Sequence, residues 1–234
     1  MLTILIPTYN EYENISKIVI SLNNLEKLKK IDFNIFFIDD NSNDGSKEEL
    51  FEISKKFNNV KYKIRKNKNR DLTKSVLDAL DFIDSKYVCL MDCDLQHNLE
   101  LIPNMMNIIL DKKIDLIIAS RYQNKKNINK LNFIRLFISK LGSFLIFFLD
   151  IKNIKDPLSG FFIIDNNILK SISSKIKTDG FKILLTIIYL LNKRNLKILE
   201  IESNFYSRKK GKSKFNLIIG WKFIKQLFYL FVYK

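Results

Sequence analysis

The strongest constraint on the fold of this sequence is a regular alternation between strand-like runs and segments with helical periodicity. The strand-like runs lie at 2–7, 33–38, 60–65, 87–91 and 114–119. Apolar residues in the intervening segments recur every three to four positions, which predicts helices over 12–30, 46–57, 71–84 and 99–111. Mainly apolar strands separated by helices are typical of a mostly parallel sheet that helices cover on both faces. We therefore predict an α/β fold.

Polar residues follow several of the predicted strands directly. These polar clusters lie at 7–11, 39–45, 92–97 and 120–122. Parallel strands place their carboxyl ends at one edge of the sheet, and α/β proteins bind their ligands at that edge. We therefore predict that one cleft of nucleotide size collects all the clusters.

The cluster after the strand at 87–91 carries the most specific chemical signal, Asp92-Cys93-Asp94-Leu95-Gln96-His97. Two carboxylates that lie two residues apart in a turn can both reach one cation, and Mg²⁺ or Mn²⁺ binds such oxygen ligands together with phosphates. The alternative is a turn in which the acidic residues are incidental. His97 is the single histidine of the chain, and a lone histidine is more often a turn or core residue than a ligand. We therefore assign it no catalytic role.

The cluster after the strand at 33–38 contains further acidic residues. Carboxylates at the end of a strand can accept hydrogen bonds from a nucleobase or a ribose. Ser46, with Glu49 three residues later, fits a capping box at the start of a helix. Such a cap would leave Asp39 and Asp40 free for a ligand.

The charge of the chain is strongly positive and unevenly distributed. Its 234 residues include 40 Lys and Arg against 25 Asp and Glu, a formal net charge of +15. No acidic residue occurs in 119–149 or in 207–234, although both segments are basic. Such a charge suits nucleic acid, an anionic membrane or a phosphorylated substrate. The acidic clusters and the lack of a recognised nucleic-acid motif lead us to expect no nucleic-acid partner.

Each basic segment also contains an apolar stretch. In 133–149, basic residues leave an uninterrupted run that is too short to span a bilayer. In 215–233, lysines lie near the middle, where a charge costs about 2.5–3.5 kcal/mol. Polar residues repeat there every three to four positions: Lys222, Lys225, Gln226, Tyr229 and Tyr233. This polar stripe indicates a helix in the membrane interface. The alternative is a helix packed on its own domain or on a dimer partner.

The N-terminus and the cysteines bear on the compartment. The apolar run 2–6 is too short for the core of a signal peptide and has no basic region before it. Cys89 and Cys93 would lie about 13 Å apart on an extended chain, which is beyond the reach of a disulfide. We expect buried, reduced thiols in a cytosolic protein.

Taken together, these segments resemble family 2 glycosyltransferases, in particular the dolichyl- or polyprenyl-phosphate mannosyltransferase branch. The matching segments, in order, are IPTYNE (6–11), IDDNSNDGS (38–46), RDLTKSVLDAL (70–80), MDCDLQH (91–97), SRY (120–122), DPLSGFF (156–162), GFKILL (180–185) and SRKKGKSKF (207–215). The resemblance implies a Rossmann-like GT-A domain over 1–206, which includes a membrane-facing helix at about 131–149. It also implies a basic loop and a C-terminal interfacial amphipathic helix over 207–234.

The resemblance also implies roles for individual residues. The nucleotide-sugar contacts would be Pro7, Tyr9, Glu11, Ile38, Asp40, Asp92 and Cys93. The metal ligands would be Asp92, Asp94 and Gln96, and the residues that grip the donor or acceptor phosphates would be Arg121, Arg208 and Lys214. Asp92, Asp94 and Arg121 would carry catalysis.

The implied activity is an inverting, metal-dependent transfer of a hexosyl group from a nucleotide sugar to polyprenyl phosphate. We expect GDP-mannose as the first choice of donor and UDP-glucose as the second, with Mg²⁺ or Mn²⁺ as cofactor. The enzyme would be peripheral, on the cytoplasmic face of a membrane and without a transmembrane span, held by lipid or by a small integral membrane partner.

Two departures from the family pattern leave alternatives open. Arg70-Asp71-Leu72-Thr73-Lys74 stands where many relatives have Gly-Leu-Gly, and Thr186 stands where many have an acidic residue. One alternative is a family 2 enzyme with a saccharide or protein acceptor. The other is a degenerate, non-catalytic module that binds a nucleotide sugar or a membrane.

Overall fold

A seven-stranded sheet forms the centre of the computed structural model. The structure describes residues 1–29, 31–66, 70–122, 154–176, 183–204, 206, 225–226, 229–230 and 232. The strands are β1 (Leu2–Thr8), β2 (Phe33–Asp39), β3 (Val60–Ile64), β4 (Tyr87–Leu90), β5 (Leu116–Ser120), β6 (Phe162–Asp165) and β7 (Ile198–Glu202). Their order across the sheet is β3-β2-β1-β4-β6-β5-β7, and β6 alone among them runs antiparallel to its neighbours.

Helices connect most of these strands. They are α1 (Tyr12–Lys29), α2 (Ser46–Lys56), α3 (Leu72–Ala79), α4 (Leu101–Lys112), α5 (Asn166–Ser173) and α6 (Ile183–Asn192). The strands and helices predicted for the first half are all confirmed, with small differences at their ends. The predicted helix over 71–84 ends early, because α3 tightens into a 3₁₀ turn over Leu80–Phe82.

The helices bury both faces of the sheet. On one face Leu5 and Ile38 pack in a core with residues of α3 and α6. On the other face Ile4 and Phe37 pack with residues of α1 and α4. All of these side chains of β1 and β2 are fully buried, which explains why the strands lack an alternating pattern. Each such side chain contributes about 1.5–3 kcal/mol through its burial.

The carboxyl ends of β1, β2, β4, β5 and β7 meet at one edge of the sheet. These strands run in the same direction, and the antiparallel β6 starts at the same edge. Backbone hydrogen bonds extend the pairing into the polar clusters, for example from the N–H of Asp40 to the carbonyl of Thr8 at 2.9 Å. The clusters thus lie at one edge of the sheet, as expected, and a single cleft of nucleotide size stays a prediction.

The C-terminal residues that the structure describes pack on this domain. Leu230 is buried in the core that contains α6, and Tyr229 packs against the same core. Gln226 donates a hydrogen bond from Nε2 to Oγ1 of Thr186 at 2.8 Å. Two members of the predicted polar stripe therefore face the domain, which favours the alternative of a helix packed on its own domain for these residues.

The predicted helix at about 131–149 and the basic loop at 207–214 lie outside the described residues. Within the described residues, none of the helices combines the length and the apolar character that a bilayer crossing requires. The interfacial location of the C-terminal helix and the boundary at residue 206 stay predictions.

Candidate active site

The acidic pair lies directly after β4, where the chain turns sharply. Leu95 adopts a φ of 59°, a left-handed conformation that is uncommon for a residue with a side chain. The turn lets Oδ1 of Asp94 accept a hydrogen bond from the N–H of Gln96 at 3.2 Å. Asp94 is buried, whereas the side chain of Asp92 is 52% exposed. The turn thus exposes one carboxylate and buries the other.

His97 and Gly160 surround the exposed carboxylate. Nε2 of His97 lies 3.3 Å from Oδ2 of Asp92, and the His97 ring packs against the ring of Phe161 with a centroid separation of 5.0 Å. A Cβ atom at Gly160 would lie 2.6 Å from Oδ2 of Asp92, so the close approach requires glycine. We predicted a turn or core residue without a catalytic role at His97, and the structure places it in the turn as an orienting partner of Asp92. The sequence did carry a signal for this contact, because His97 is the last residue of the polar cluster 92–97.

The donor atoms at this turn fit a divalent cation that a phosphorylated ligand helps to hold. Within the described residues, no group of three or more His, Cys, Asp or Glu side chains could hold a metal ion alone. Mg²⁺ is commonly bound through one or two carboxylates together with the phosphates of a substrate. The carboxylates of Asp92 and Asp94 match that requirement.

Gln96 ties the acidic turn to the chain after β7. The side-chain Nε2 of Gln96 donates to the backbone carbonyl of Tyr206 at 3.0 Å. The backbone carbonyl of Gln96 accepts from the N–H of Tyr206 at 2.9 Å. The predicted role of Gln96 as a metal ligand stays a prediction. Arg208 and Lys214 follow in the sequence but lie outside the described residues.

Arg121, after β5, is held by a fork of hydrogen bonds to Asp156. Its Nε and Nη2 donate to the two carboxylate oxygens at 2.8 and 2.7 Å, and its N–H donates to Oδ2 at 2.9 Å. Burial alone would lower the pKa of Arg121, but the carboxylates of Asp156 and, more weakly, Asp92 outweigh this effect and raise it. Arg121 is therefore a fixed positive charge within electrostatic reach of Asp92.

Glu200, on β7, holds the backbone that carries Asp156. Its two carboxylate oxygens accept the N–H groups of Lys155 and Asp156, both at 2.7 Å. Burial raises the pKa of Glu200. Asp156 and Glu200 were not among the predicted site residues. Asp156 lies within the DPLSGFF segment that supported the resemblance, whereas Glu200 carries no such signal.

The acidic residues after β2 are bonded within the protein, so the prediction that they are free is wrong. Both carboxylate oxygens of Asp39 accept hydrogen bonds from Ser42. Asp40 forms an ion pair with Arg65 and accepts the N–H of Asp71 at 2.9 Å. The role of Asp40 as a nucleotide contact stays a prediction, and any such contact would add to these bonds.

The predicted capping box at Ser46 is also wrong. Gly45, with a φ of 93°, is the N-cap of α2 and makes no side-chain cap hydrogen bond. Oγ of Ser46 instead accepts the N–H of Glu11 at 3.0 Å, and Glu49 bonds to Ser16 on α1. The left-handed glycine places Ser46 inside the helix, so its hydroxyl joins the ends of β1 and β2.

The remaining predicted nucleotide contacts differ in exposure. Tyr9, Glu11 and Pro7 are partly exposed at the end of β1. The side chain of Ile38 is fully buried in the core, and Cys93 is also buried. Cys89 and Cys93 are free thiols, as predicted, and burial raises the pKa of Cys89.

Together these observations define a mostly parallel α/β domain of the GT-A type, with an acidic pair and a fixed arginine at one edge of its sheet. A model of the family described as glycosyl transferase family 2 matches residues 3–173. The chain belongs to this family.

Within the family, the chain is similar to dolichol-phosphate mannosyltransferases. It is 31% identical to the Pyrococcus furiosus protein over 231 residues, which are 97% of this chain and 63% of that protein. It is 30% identical to the Saccharomyces cerevisiae protein over 240 residues, which cover 99% of this chain and 87% of that protein. The chain therefore spans less than two thirds of the archaeal relative. The resemblance drawn from the motifs is confirmed.

Solved structures share the fold at low sequence identity. Glucosyl-3-phosphoglycerate synthase from Mycobacterium tuberculosis, in complex with Mn²⁺, UDP-glucose and phosphoglyceric acid, superposes with a TM-score of 0.70 and 14% identity. The match covers 100% of this chain and 79% of that one. Mannosyl-3-phosphoglycerate synthase from Rubrobacter xylanophilus gives a TM-score of 0.69 at 14% identity, over 98% and 74% of the two chains. The predicted GT-A fold is confirmed.

Proposed function

We propose that this protein transfers a hexosyl group, a mannosyl group by first choice, from a nucleoside diphosphate sugar to polyprenyl phosphate at a membrane surface. The observation that carries the proposal is the position of the exposed Asp92 carboxylate and of Arg121, which Asp156 holds in place, at the same edge of the sheet. The names of the mannosyltransferase relatives support the sugar and the lipid phosphate.

Asp92 and Asp94 would hold a divalent cation, Mg²⁺ or Mn²⁺, at the place proposed for the diphosphate of the donor. The bound cation supplies stabilisation of the negative charge that develops on the departing nucleoside diphosphate. His97 keeps the Asp92 carboxylate in its orientation through the contact at 3.3 Å. Gly160 leaves room for that carboxylate at the opening of the cleft.

Arg121 positions the acceptor phosphate and screens its repulsion from the donor diphosphate. Asp156 holds the guanidinium plane with two hydrogen bonds, so only a limited part of the group faces the cleft. A phosphate monoester has a second pKa of about 6 and is mostly a dianion at neutral pH. The acceptor oxygen is therefore already nucleophilic, and the reaction needs no strong general base.

GDP-mannose is the first choice of donor and UDP-glucose the second. The acceptor side would lie towards the membrane surface, with the C-terminal helix and the basic residues Arg208 and Lys214 on that side. A small integral membrane partner, or lipid alone, would hold the protein there.

A transfer assay with purified protein, radiolabelled nucleotide sugars, polyprenyl phosphate and Mg²⁺ or Mn²⁺ tests the proposal. We expect labelled product in the chloroform extract, and its loss when the cation is chelated. Asp94→Ala should lower the rate at least about a hundredfold, which corresponds to several kcal/mol of lost charge stabilisation.

Asp111→Ala is the matched control, because Asp111 is an exposed carboxylate on α4. It should keep the activity, and circular dichroism should show both variants folded. Transfer of label to an added saccharide, but not to polyprenyl phosphate, would replace the lipid with a saccharide acceptor. Full activity of Asp94→Ala would contradict the metal site, and absence of transfer with every donor would favour a non-catalytic module.

A further inference from the structure

Glu200 is a carboxylate on β7 that the proposed reaction does not use directly. In the pairing of β7 with β5 it stands opposite Ile118, and Ile118 belongs to the core that contains α6. Paired residues of neighbouring strands share a face of the sheet, so the side chain of Glu200 lies on this face. The chain before β6 crosses the same face, because Ile154 and Leu158 pack against the same core.

Asp156 lies midway between these two apolar residues, and Glu200 holds it there. The two carboxylate oxygens of Glu200 accept the N–H groups of Lys155 and Asp156, both at 2.7 Å. The side chain of Asp156 in turn accepts Nε and Nη2 of Arg121 at 2.8 and 2.7 Å. Hydrogen bonds of this kind, in which one partner is ionised, are the short and strong ones in proteins. They form a continuous connection from β7 to the guanidinium group of Arg121.

The ionised form of Glu200 is not favoured by its surroundings. Burial raises its pKa, and the nearby carboxylate of Asp156 adds to this effect, so that the hydrogen bonds from the two N–H groups offset it only in part. A carboxylate in such a place adds little to the stability of the fold. What its two oxygens do provide is a fixed position and direction for the backbone at 155–156.

We propose that Glu200 is a positioning residue, which sets the place of the Arg121 guanidinium group by holding the backbone of Asp156. The proposal rests on the proposed function, in which Arg121 meets the acceptor phosphate. The fork between Asp156 and Arg121 requires both carboxylate oxygens to lie in line with two N–H donors. A shift of the Asp156 backbone therefore moves the guanidinium group, and a misplacement of about 1 Å can cost about a hundredfold in rate.

Steady-state kinetics of sugar transfer by the full-length protein test the proposal. Glu200→Gln keeps one carbonyl oxygen and replaces the other oxygen with an amide group that cannot accept a hydrogen bond. We expect kcat/KM for polyprenyl phosphate to fall about three- to tenfold, as the loss of one such bond implies. Glu200→Ala loses both acceptors and should fall further. Binding of the nucleoside diphosphate, measured by calorimetry with Mg²⁺ present, should stay unchanged in both variants.

Glu202→Gln is the matched control, because Glu202 is an exposed carboxylate two residues further along the same strand. It removes the same charge and should keep the activity. In the background of Arg121→Ala, Glu200→Gln should cause no further loss, since Glu200 acts through Arg121. An equal loss in both backgrounds would show a merely structural role and would overturn the proposal, as would an equal effect of Glu200→Gln and Glu202→Gln.

Nuclear magnetic resonance of ¹⁵N-labelled protein gives a readout that does not depend on activity. The Nε–H signal of Arg121 is identified by its loss in Arg121→Ala. It should shift or broaden in Glu200→Gln but not in Glu202→Gln, and an unchanged signal in Glu200→Gln would overturn the proposal. If the unmodified protein transfers no sugar, the proposed function fails, whereas the Arg121 signal still decides whether Glu200 sets the position of the guanidinium group.

Discussion

Two arginine–aspartate pairs at the same edge of the sheet differ in the exposure of their arginine side chains. In the pair after β2 and β3, the side chains of Arg65 and Asp40 are 3% and 8% exposed. In the pair after β5, Asp156 is completely buried but the side chain of Arg121 is 22% exposed. The first pair is closed within the protein, whereas the second presents part of its cation to the cleft.

Under the proposed function, the difference separates a pair that shapes the edge of the sheet from a pair that carries charge for the reaction. Nη1 and Nε of Arg65 also bond to Ser75 and Asp78, at 3.0 and 2.9 Å. Nη2 of Arg65 has no hydrogen-bond partner among the described residues. Because burial of an ion pair carries a desolvation penalty, such a pair fixes geometry more than it adds stability. The Arg121 pair instead leaves its arginine accessible to a phosphate.

Breaking the closed pair should give the largest effect on the fold. Asp40→Ala leaves Arg65 buried without its main partner, and we expect a loss of about 3–5 kcal/mol in the free energy of unfolding. Urea denaturation followed by circular dichroism measures this. Asp78→Ala is the control: the Asp78 side chain is 40% exposed, so we expect a loss of at most about 1 kcal/mol. Equal losses in the two variants would contradict the distinction.

Breaking the open pair should act on activity rather than on folding. Asp156→Asn removes the charge that holds the Arg121 fork, and we expect kcat/KM for the acceptor to fall about ten- to a hundredfold, which is about 1.4–2.7 kcal/mol. The double variant with Arg121→Ala should be no less active than Arg121→Ala alone, since Asp156 acts through Arg121. Independent, multiplicative losses would show instead that Asp156 has a separate role.

The smallest effect should come from Asp44, a carboxylate that belongs to neither pair and joins α1 to α2. Burial raises its pKa, but hydrogen bonds from the Ser46 side chain and the Tyr12 N–H more than offset this, so the pKa is lowered from 3.8. The stabilisation is present above the unfolded value and is lost as the pH falls through the folded one. We expect less than about 1 kcal/mol, measured as a shift in the urea midpoint below about pH 4. Asp44→Asn should remove this pH dependence.

The features of the site that depend on local contacts could be predicted from the sequence, whereas those that depend on long-range contacts could not. The strands and most helix bounds follow from local periodicity, and so does the position of Asp92 and Asp94 at a strand end. The capping box at Ser46 failed because Gly45, in a left-handed conformation, takes the N-cap position and leaves Ser46 within α2. The contact of His97 with Asp92 was not predicted, because it depends on the fold of the turn rather than on residue type.

By itself, the sequence determined the α/β class, the direction of the main strands and the edge at which polar residues gather. These features depend on the burial of apolar side chains, which the local spacing of apolar residues predicts. Only the tertiary structure decided the pairing of charges, such as Arg65 with Asp40 and Arg121 with Asp156, which are 25 and 35 residues apart. An ion pair depends on distance and orientation in space, and many carboxylates in the sequence were available to each arginine. The packing of the loops against the sheet edge selected Asp40 and Asp78 for Arg65, and Asp156 for Arg121.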